Sequence, residues 1–471
     1  MPEYKTPDTY IEEISKFPAS VAPVETAIPA FIGYTAFAKD NHGNNLTNKP
    51  KRISSLLEFE RFFGKAFSED FLVSVEQRGT DIEIKVESRP ITPKKYLYYS
   101  LQLFYSNGGG PCYIISVGNL ATNVDKSNIT QAFSILEQID EPTLIVFPDA
   151  CLLPTPDAYC SVVNNALKHC NKMRDRFTII DIPNALPTKT DTNALVTSNF
   201  RNKVSDDLGE RKYGAAYFPY LSTNLKFHTT DEHIKIHTLS VDGNIIPDIT
   251  DLEIGNSIIK KERPAIYSAV KAKISKEFLQ LPPSGGVAGV YTSIDNSRGV
   301  WKAPANVSLN NVITPAVKIT DELTSSLSID PNSGKSVNVI RHFAGKGTLI
   351  WGARTLAGND NEYRYISVCR FLIFAEESIR KSIGKFVFEP NDANNWTKVK
   401  SMIENFLINM WREGALAGKK PEAAFFVRIG LNQTMSAQDI LEGRMIAEIG
   451  LALVRPGEFI IIRLIQKMQT S

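Results

Sequence analysis

The sequence lacks long hydrophobic runs, paired cysteines and a strong charge of either sign. Its apolar segments, such as Phe371–Ala375, are far shorter than the roughly 18 residues that a membrane-spanning helix needs. The five cysteines are scattered without a CxxC pair, which is typical of reduced core thiols rather than of a disulfide framework or a thiolate zinc site. A net charge of +2 gives no electrostatic support for binding nucleic acid. Because Met1–Lys5 lacks the apolar core of a signal peptide, we expect folding in the cytoplasm without membrane insertion.

A complete nucleotide-binding motif is also missing. Gly334-Lys335-Ser336 matches the end of a phosphate-binding loop, but Ile329 stands where that loop needs a glycine to turn beneath the phosphates. Gly345-Lys346-Gly347 lacks the third glycine of a dinucleotide fingerprint, so it is predicted to be a turn. The sequence therefore predicts no nucleotide cofactor.

Metal and serine chemistry are equally unsupported. His228, His233 and His237 form a cluster in the sequence, but no acidic or cysteine partner stands at a convincing ligand spacing, and solvent-facing histidines are the simpler interpretation. No GxSxG string occurs, and Ser284 in the run PPSGG is interpreted as an ordinary turn residue. We therefore predict no catalytic residue, no cofactor and no metal.

Residues 95 to 182 alternate between helical and strand patterns. A helix around Lys95–Tyr105 ends at a glycine run, and a buried strand follows at Cys112–Val117. Thr143–Phe147 is predicted as a buried parallel strand, and Thr155 caps the next helix. The chain then returns as a strand at Phe177–Ile182. This spacing predicts right-handed crossover units and therefore an α/β domain.

The last third of the sequence is the most regular part. Apolar residues recur at intervals of three and four from Trp396 to Trp411, which predicts an amphipathic helix that stops at Gly414. A strand is predicted at Ala424–Ile429, and Ser436 to Asp439 resembles a helix capping box. Met445–Val454 is predicted as a further strand. This mixture indicates an α+β unit.

Both ends of the chain contain segments that cannot bury themselves alone. Tyr10–Ile14 has strand character but is surrounded by prolines, so it needs a sheet from elsewhere. Glu458–Ile465 is apolar and β-branched, and an edge strand of that composition is normally covered. Further inside the chain, Val73–Val86 is predicted as a half-exposed strand because apolar and charged residues alternate there.

Ten strings, in order along the chain, resemble the tail sheath family of contractile phages, R-type bacteriocins and extracellular contractile injection systems. They are PDTYIEEI from Pro7, AIPAFIG from Ala27, FYSNGGGPC from Phe104, EPTLIVFPDA from Glu141, LPPSGGVAGVY from Leu281, GVWKAPAN from Gly299, IWGARTL from Ile350, FVFEPN from Phe386, WREGALAG from Trp411, and Ala447–Arg463, which contains RPGEF. The departures are small: Asp8 and Gly457 replace a common glycine and alanine, and Leu453 replaces a frequent proline. About twenty residues near 71–93 are inserted relative to short family members.

The resemblance implies a multidomain α/β protein: a subtilisin-like central α/β domain without its active site, an α+β C-terminal sheath domain, and extended terminal arms. The implied boundaries are an N-terminal linking arm at 1–22, a segment with a peripheral insertion at 23–95 and the central domain at 96–350. They continue with a tube-facing domain at 351–456 and a C-terminal strand or arm at 457–471.

The implied function is that of a structural sheath subunit, which polymerises around an inner tube and contracts without catalysing a reaction. Residues expected to exchange strands between subunits are Tyr10, Ile11, Ile14, Phe459, Ile461 and Arg463; candidate contacts to the inner tube are Arg380, Lys381, Lys385, Lys398 and Lys400. The implied partners are further copies in hexameric discs, the tube, the baseplate and a terminal cap, in a particle assembled in the cytoplasm and released from the cell. A non-contractile capsid or tube protein and a hydrolase of subtilisin topology are the alternatives.

Overall fold

A computed structural model describes residues 21–183 and 195–458. The described chain divides into two compact units. One unit comprises residues 25–374 together with 455–458, and the other comprises residues 21–24 together with 375–454. We refer to them as the large unit and the small unit.

Helices and strands alternate along most of the large unit. The strands of the described chain are β1 (Pro29–Thr35), β2 (Lys51–Ile53), β3 (Phe71–Arg78), β4 (Asp81–Ser88), β5 (Cys112–Asn119), β6 (Leu144–Val146), β7 (Phe177–Asp181), β8 (Gly214–Phe218), β9 (Leu221–Lys226), β10 (Ile234–Val241), β11 (Asn244–Ile245), β12 (Leu252–Glu253), β13 (Phe278–Leu281), β14 (Val307–Ser308), β15 (Val312–Pro315), β16 (Val337–Phe343), β17 (Gly347–Trp351), β18 (Phe425–Arg428) and β19 (Glu448–Leu451). The α-helices are α1 (Leu56–Phe63), α2 (Leu97–Ser106), α3 (Lys126–Leu136), α4 (Pro156–Met173), α5 (Leu208–Arg211), α6 (Ser257–Lys260), α7 (Pro264–Ile274), α8 (Ser284–Arg298), α9 (Asp321–Ser328), α10 (Ile366–Ile383), α11 (Ala393–Arg412), α12 (Pro421–Ala424) and α13 (Ala437–Leu441).

A nine-stranded sheet forms the core of the large unit. Its order is β14-β17-β16-β8-β7-β6-β1-β5-β2, and the six strands from β16 to β5 are mutually parallel. All residues of β1, β6, β7 and β8 are buried, as parallel strands covered by helices must be. Helix α2 packs against α8, and α3 packs against α4. The predicted α/β domain is therefore confirmed, including the cap that Thr155 gives to α4 by accepting from the amide of Ala158.

Two glycines allow α2 and α8 to approach closely. A Cβ at Gly285 would lie 2.3 Å from the carbonyl oxygen of Ser100, and one at Gly289 would lie 2.4 Å from that of Phe104. Because real Cβ atoms do not approach a backbone oxygen so closely, a larger residue at either position would push the helices apart.

A smaller sheet contains the predicted insertion. Its order is β11-β10-β3-β4, with β12 added to β10. The prediction of one strand over Val73–Val86 was wrong, because β3 and β4 are two antiparallel strands joined by a turn in which Gly79 has a φ of +58°. Alternation alone could not show the reversal, since both strands continue the same pattern of apolar and polar residues.

The small unit has the elements that its periodicity predicts. Helix α11 has an apolar face on which Val399, Ile403 and Leu407 are buried. Asp392 caps the helix, because its side chain accepts a hydrogen bond from the amide of Asn395. The capping box at Ser436 and Asp439 is present at the start of α13. Strands β18 and β19 pair antiparallel as a two-stranded sheet. The second of these strands is shorter than the predicted Met445–Val454.

Candidate functional site

The residues predicted to exchange strands between subunits lie outside the described part of the chain. They are Tyr10, Ile11, Ile14, Phe459, Ile461 and Arg463. The structure does describe the residues of the large unit that adjoin these two terminal segments, near Thr26 and at Glu458. Those two points, which we call the terminal roots, are held by buried arginines.

The root of the C-terminal segment is held by Arg354, which follows β17. Its Nε and Nη2 donate to the carboxylate of Glu458 at 2.9 and 2.6 Å, a bidentate geometry, and the hydroxyl of Tyr365 adds a bond of 3.3 Å. The Arg354 side chain is only 6% exposed, so the pair is shielded from water. Since a charge-assisted bidentate pair is among the strongest polar contacts, the chain is fixed immediately before residue 459.

The root of the N-terminal segment is held by Arg370 on α10. Its guanidinium donates to both carboxylate oxygens of Asp295, at 2.9 and 2.5 Å, and to the carbonyl oxygen of Thr26 at 2.9 Å. The Thr26 hydroxyl completes the network by donating to Asp295 at 2.6 Å. Both charged side chains are at most 4% exposed. Removing either partner would leave an uncompensated buried charge.

Sequence reasoning missed both roots. Arg354 lies in IWGARTL, Glu458 in RPGEF and Thr26 directly before AIPAFIG, so the family strings already marked two of the segments concerned. The pairs join residues 104 and 75 positions apart. No local pattern in the sequence indicates a contact over such a separation.

The candidate tube contacts fall into two groups in the small unit. Arg380 and Lys381, near the end of α10, both bind Glu377, with their nearest atoms at 2.6 and 3.2 Å from its Oε1. Glu377 is buried, so these two cations neutralise an acid of their own helix. Their ability to attract an external acid is correspondingly reduced.

The other three candidates form weaker contacts within the subunit. Lys385 follows α10, and its ammonium lies 5.6 Å from the ring of Phe386. On α11, Lys398 donates to the side-chain oxygen of Asn395, and Lys400 lies 3.8 Å from Glu404. Residues two apart on a helix do not share a face, so the structure does not bring Lys398 and Lys400 together on one surface.

No third strand in the described ranges joins the two-stranded sheet of the small unit. A two-stranded ribbon is marginally stable alone, and unpaired edges are templates for a further strand. Within the described residues, only an isolated bridge between Leu416 and Leu453 extends the pairing. Exposed apolar residues lie nearby along the chain, including Phe426 on β18 and Val454 after β19.

Ser284 is not the ordinary turn residue that was predicted. It is the first residue of α8, it is fully buried, and its hydroxyl and amide donate to the two carboxylate oxygens of Asp181 at 2.5 and 2.8 Å. Burial raises the pKa of Asp181 to about 7, and the bonds from Ser284 partly oppose that rise. The pair therefore links the end of β7 to the start of α8 inside the core.

Lys335 also has a structural role that its motif did not reveal. Its ammonium is buried and donates to the carbonyl oxygens of Arg201 and Val204, both at 2.6 Å, and pairs with Asp206 at 2.7 Å. A lysine with three oxygen partners has no donor left for a phosphate. Gly345-Lys346-Gly347 forms the turn between β16 and β17, as predicted.

Two of the histidines that were considered as metal ligands do not share a site, because they bind different acids. His233 binds Asp70 at 2.7 Å and His237 binds Asp251 at 3.0 Å, and the described residues contain no group of three or more side chains suited to a metal. All five cysteines are reduced and buried, as predicted. No helix in the described ranges is long and apolar enough to cross a membrane.

Comparisons with known proteins agree with this architecture. Residues 358–467 match the family model of the phage tail sheath C-terminal domain. The chain is 29% identical to the helical sheath of the anti-feeding prophage in its contracted state, covering 99% of this chain and 100% of that one with a TM-score of 0.64. It is 27% identical to a chain of the contracted PVC sheath complex, an extracellular contractile injection system, covering 99% of each with a TM-score of 0.65. A chain of the anti-feeding prophage baseplate is 28% identical over 99% of this chain, with a TM-score of 0.65. A search of curated proteins found no significant match.

The fold and these similarities are those of structural proteins of contractile, tail-like particles. Residues 358–467 match the sheath C-terminal domain, and the chain as a whole is similar to contractile sheath proteins over nearly its full length.

Proposed function

We propose that this chain is the subunit of a helical sheath that surrounds an inner tube and contracts to drive that tube through a target envelope. The observation that carries the proposal is the similarity over 99% of the chain to a helical sheath captured in its contracted state. Similarity over nearly the whole length includes the small unit and not only the α/β core.

Subunits are linked by exchanged strands in this proposal. The N-terminal arm, through Tyr10, Ile11 and Ile14, adds to the sheet of another subunit, together with the C-terminal strand that contains Phe459, Ile461 and Arg463. The edges of β18 and β19, which no further strand covers in the part of the chain that the structure describes, support this assignment, because backbone hydrogen bonds along a sheet edge can bind an extended segment of another chain.

The two roots support the same mechanism. An arm transmits force between subunits only if its own end is firmly attached. The buried pairs at Arg354–Glu458 and Arg370–Asp295 supply such attachment within the large unit. Contraction is then a change from a strained extended lattice to a more stable short one, during which the folded core and the linkages persist.

The domain layout, partners and location are proposed on the same basis. The central domain at 96–350 is subtilisin-like, the domain at 351–456 faces the tube, and the segments at 1–22 and 457–471 are the arms. Further copies in hexameric discs, the tube, a terminal cap and the baseplate are the partners, and the chain has no catalytic role. The anti-feeding prophage baseplate chain and the extracellular PVC particle support baseplate association and release from the cell.

Electron microscopy of the chain produced together with its tube protein tests the proposal. We expect sheaths of two lengths around one tube, long before contraction and short after it. A rigid lattice of one length would contradict the proposal and favour a capsid or tube protein.

Deletion of residues 1–20 should leave a folded subunit that builds no sheath, because only the exchanged strand is lost. Normal long sheaths from that deletion would contradict the linkage.

A further inference from the structure

The large unit contains a cleft at the carboxyl ends of its parallel strands. Counting parallel strands along the chain as β1, β5, β6, β7 and β8, their order across the sheet is second, first, third, fourth, fifth. In sheets wound in this order, the loops on the two sides of the first strand diverge and leave a crevice in which ligands bind. The cleft lies at that place, between the loop after β5 and the loop after β6.

The cleft has the size and lining of a site for a small molecule. Its volume is about 570 Å³, within the usual range for ligand pockets. Leu120 and Val124 line it from the loop after β5, and Leu152 lines it from the loop after β6. Lys94 and Lys95, which precede α2, complete it, and no acidic residue is among its lining side chains.

The two lysines differ in how their charges are compensated. The ammonium of Lys94 pairs with Asp70 at 2.8 Å. Lys95 forms no ion pair with any residue in the described ranges, and its ammonium lies 5.3 Å from the ring of Tyr34 on β1. Burial lowers the pKa of Lys95, and the more distant charges of Asp149 and Glu69 only partly oppose that effect. A half-buried cation without an anion is costly, so a bound anion would stabilise it.

The buried acid that acts most strongly on Lys95, Asp149, is already hydrogen-bonded to backbone amides. Asp149 accepts from the amides of Tyr34, Tyr96 and Leu97 at 2.8, 2.5 and 3.2 Å. Its carboxylate is fully buried and fixes the start of α2 against the end of β1. Among the described residues, Lys95 is therefore the lysine of the cleft that has no paired acid.

We propose that this cleft binds a small organic anion, a carboxylate or phosphate monoester with an apolar body, and that Lys95 is its counter-charge. The ammonium contacts the anionic group, and the side chains of Leu120, Val124 and Leu152 cover the apolar body. The proposal rests on the large unit alone and does not depend on sheath assembly.

Competitive acylation of the isolated full-length subunit tests this site, with phenyl phosphate and inorganic phosphate as probes. Trace labelling with acetic anhydride followed by peptide mass spectrometry gives the rate at each lysine. At ten times its dissociation constant, phenyl phosphate should slow labelling of Lys95 about tenfold, by simple occupancy. Lys168, exposed on α4, is the internal control and should be unaffected. Inorganic phosphate should protect more weakly, because it lacks the apolar body.

Variants separate specific binding from surface attraction. Calorimetric binding of phenyl phosphate should be lost in Lys95→Met and retained in Lys168→Met, with both variants folded by circular dichroism. Absence of protection at Lys95, or equal binding by Lys95→Met, would overturn the proposal. Protection of Lys95 in assembled sheaths but not by phenyl phosphate in the free subunit would also overturn it, because a neighbouring copy would then be the occupant.

Discussion

The parallel sheet of the large unit and the two-stranded sheet of the small unit differ in how completely they are buried. All seven residues of β1 are buried, whereas Val427 is the only buried residue of β18. Strand β1 has a partner on each side, but β18 and β19 have only each other in the described chain. The core of the first sheet is built within one chain, whereas within the described residues no third strand joins the second sheet, and such edges can accept a strand from a neighbour.

Exposed apolar side chains show the same contrast. Seven large ones lie in the small unit: Val387, Phe388, Phe426, Leu431, Leu441, Ile446 and Val454. The large unit has nine, although it is several times longer. For its length, the small unit therefore exposes more large apolar side chains than the large unit does. We therefore expect substitutions in the large unit to change stability and those in the small unit to change assembly.

The largest expected effect is at the buried root of the N-terminal segment. Asp295→Ala leaves Arg370 buried without its carboxylate, which should cost about 3–5 kcal/mol in the free energy of unfolding. Glu87→Ala, which breaks the exposed pair with Lys85 on β4, is the control and should cost less than about 0.5 kcal/mol. Urea unfolding of the two variants measures the difference. Similar costs would show that the root is not a stabilising contact.

The second-largest expected effect is a change of the free energy of unfolding with pH, caused by Asp181 in the core. Because the folded pKa of Asp181 is raised to about 7, the folded protein retains a proton that the unfolded chain releases above its ordinary pKa near 4. This contribution to stability is present at low pH and is lost as the pH rises through about 7. Between pH 5 and pH 8, the wild type should lose about 2–3 kcal/mol more than Asp181→Asn. Equal losses in urea unfolding at the two pH values would contradict the assignment.

A smaller effect is expected at Phe388, in the loop between α10 and α11. Its side chain is fully exposed and its φ is +70°, a conformation that glycine adopts at less cost. Phe388→Gly should leave the subunit at least as stable, with a gain of no more than about 1 kcal/mol. Phe388→Ser keeps the backbone restriction without the ring and is the matched control. A loss of stability in both variants would show that the ring packs within the subunit.

The smallest effect on stability is expected from the candidate tube contacts. Arg380 and Lys381 should be left intact, because they neutralise buried Glu377. Charge reversal at Lys385, Lys398 and Lys400 should change the free energy of unfolding by less than about 0.5 kcal/mol per site and yet reduce assembly on the tube. Unchanged assembly on the tube would show that these lysines are not part of the interface. Charge reversal at Lys168 is the control and should have no effect on assembly.

Sequence patterns predicted the helices and strands whose formation depends on residues close together in the chain. The capping box at Ser436 and the helix through Val399 and Ile403 each depend on residues within a few positions of one another. Strand burial at β6 and β7 followed from short runs of β-branched residues.

The errors and omissions involve contacts between residues that are distant in the sequence. Ser284 was interpreted as a turn residue because its partner Asp181 lies 103 residues away. Glu458 was assigned to a strand, and its bond to Arg354 was not foreseen. The ten strings of family resemblance indicated the class of protein, but they did not reveal the buried pairs that Arg354 and Arg370 form.

Replacement of Ile461 tests the linkage most directly. Ile461→Pro removes a backbone donor and opposes strand geometry, whereas Ile461→Val keeps both the amide and the β-branched side chain. The account predicts that both variants have the unfolding midpoint of the wild type, because the proposed strand pairing acts between subunits and not within one. It also predicts that, in electron micrographs of subunit and tube protein together, only the valine variant builds sheaths that contract. Contractile sheaths built by the proline variant would contradict the account.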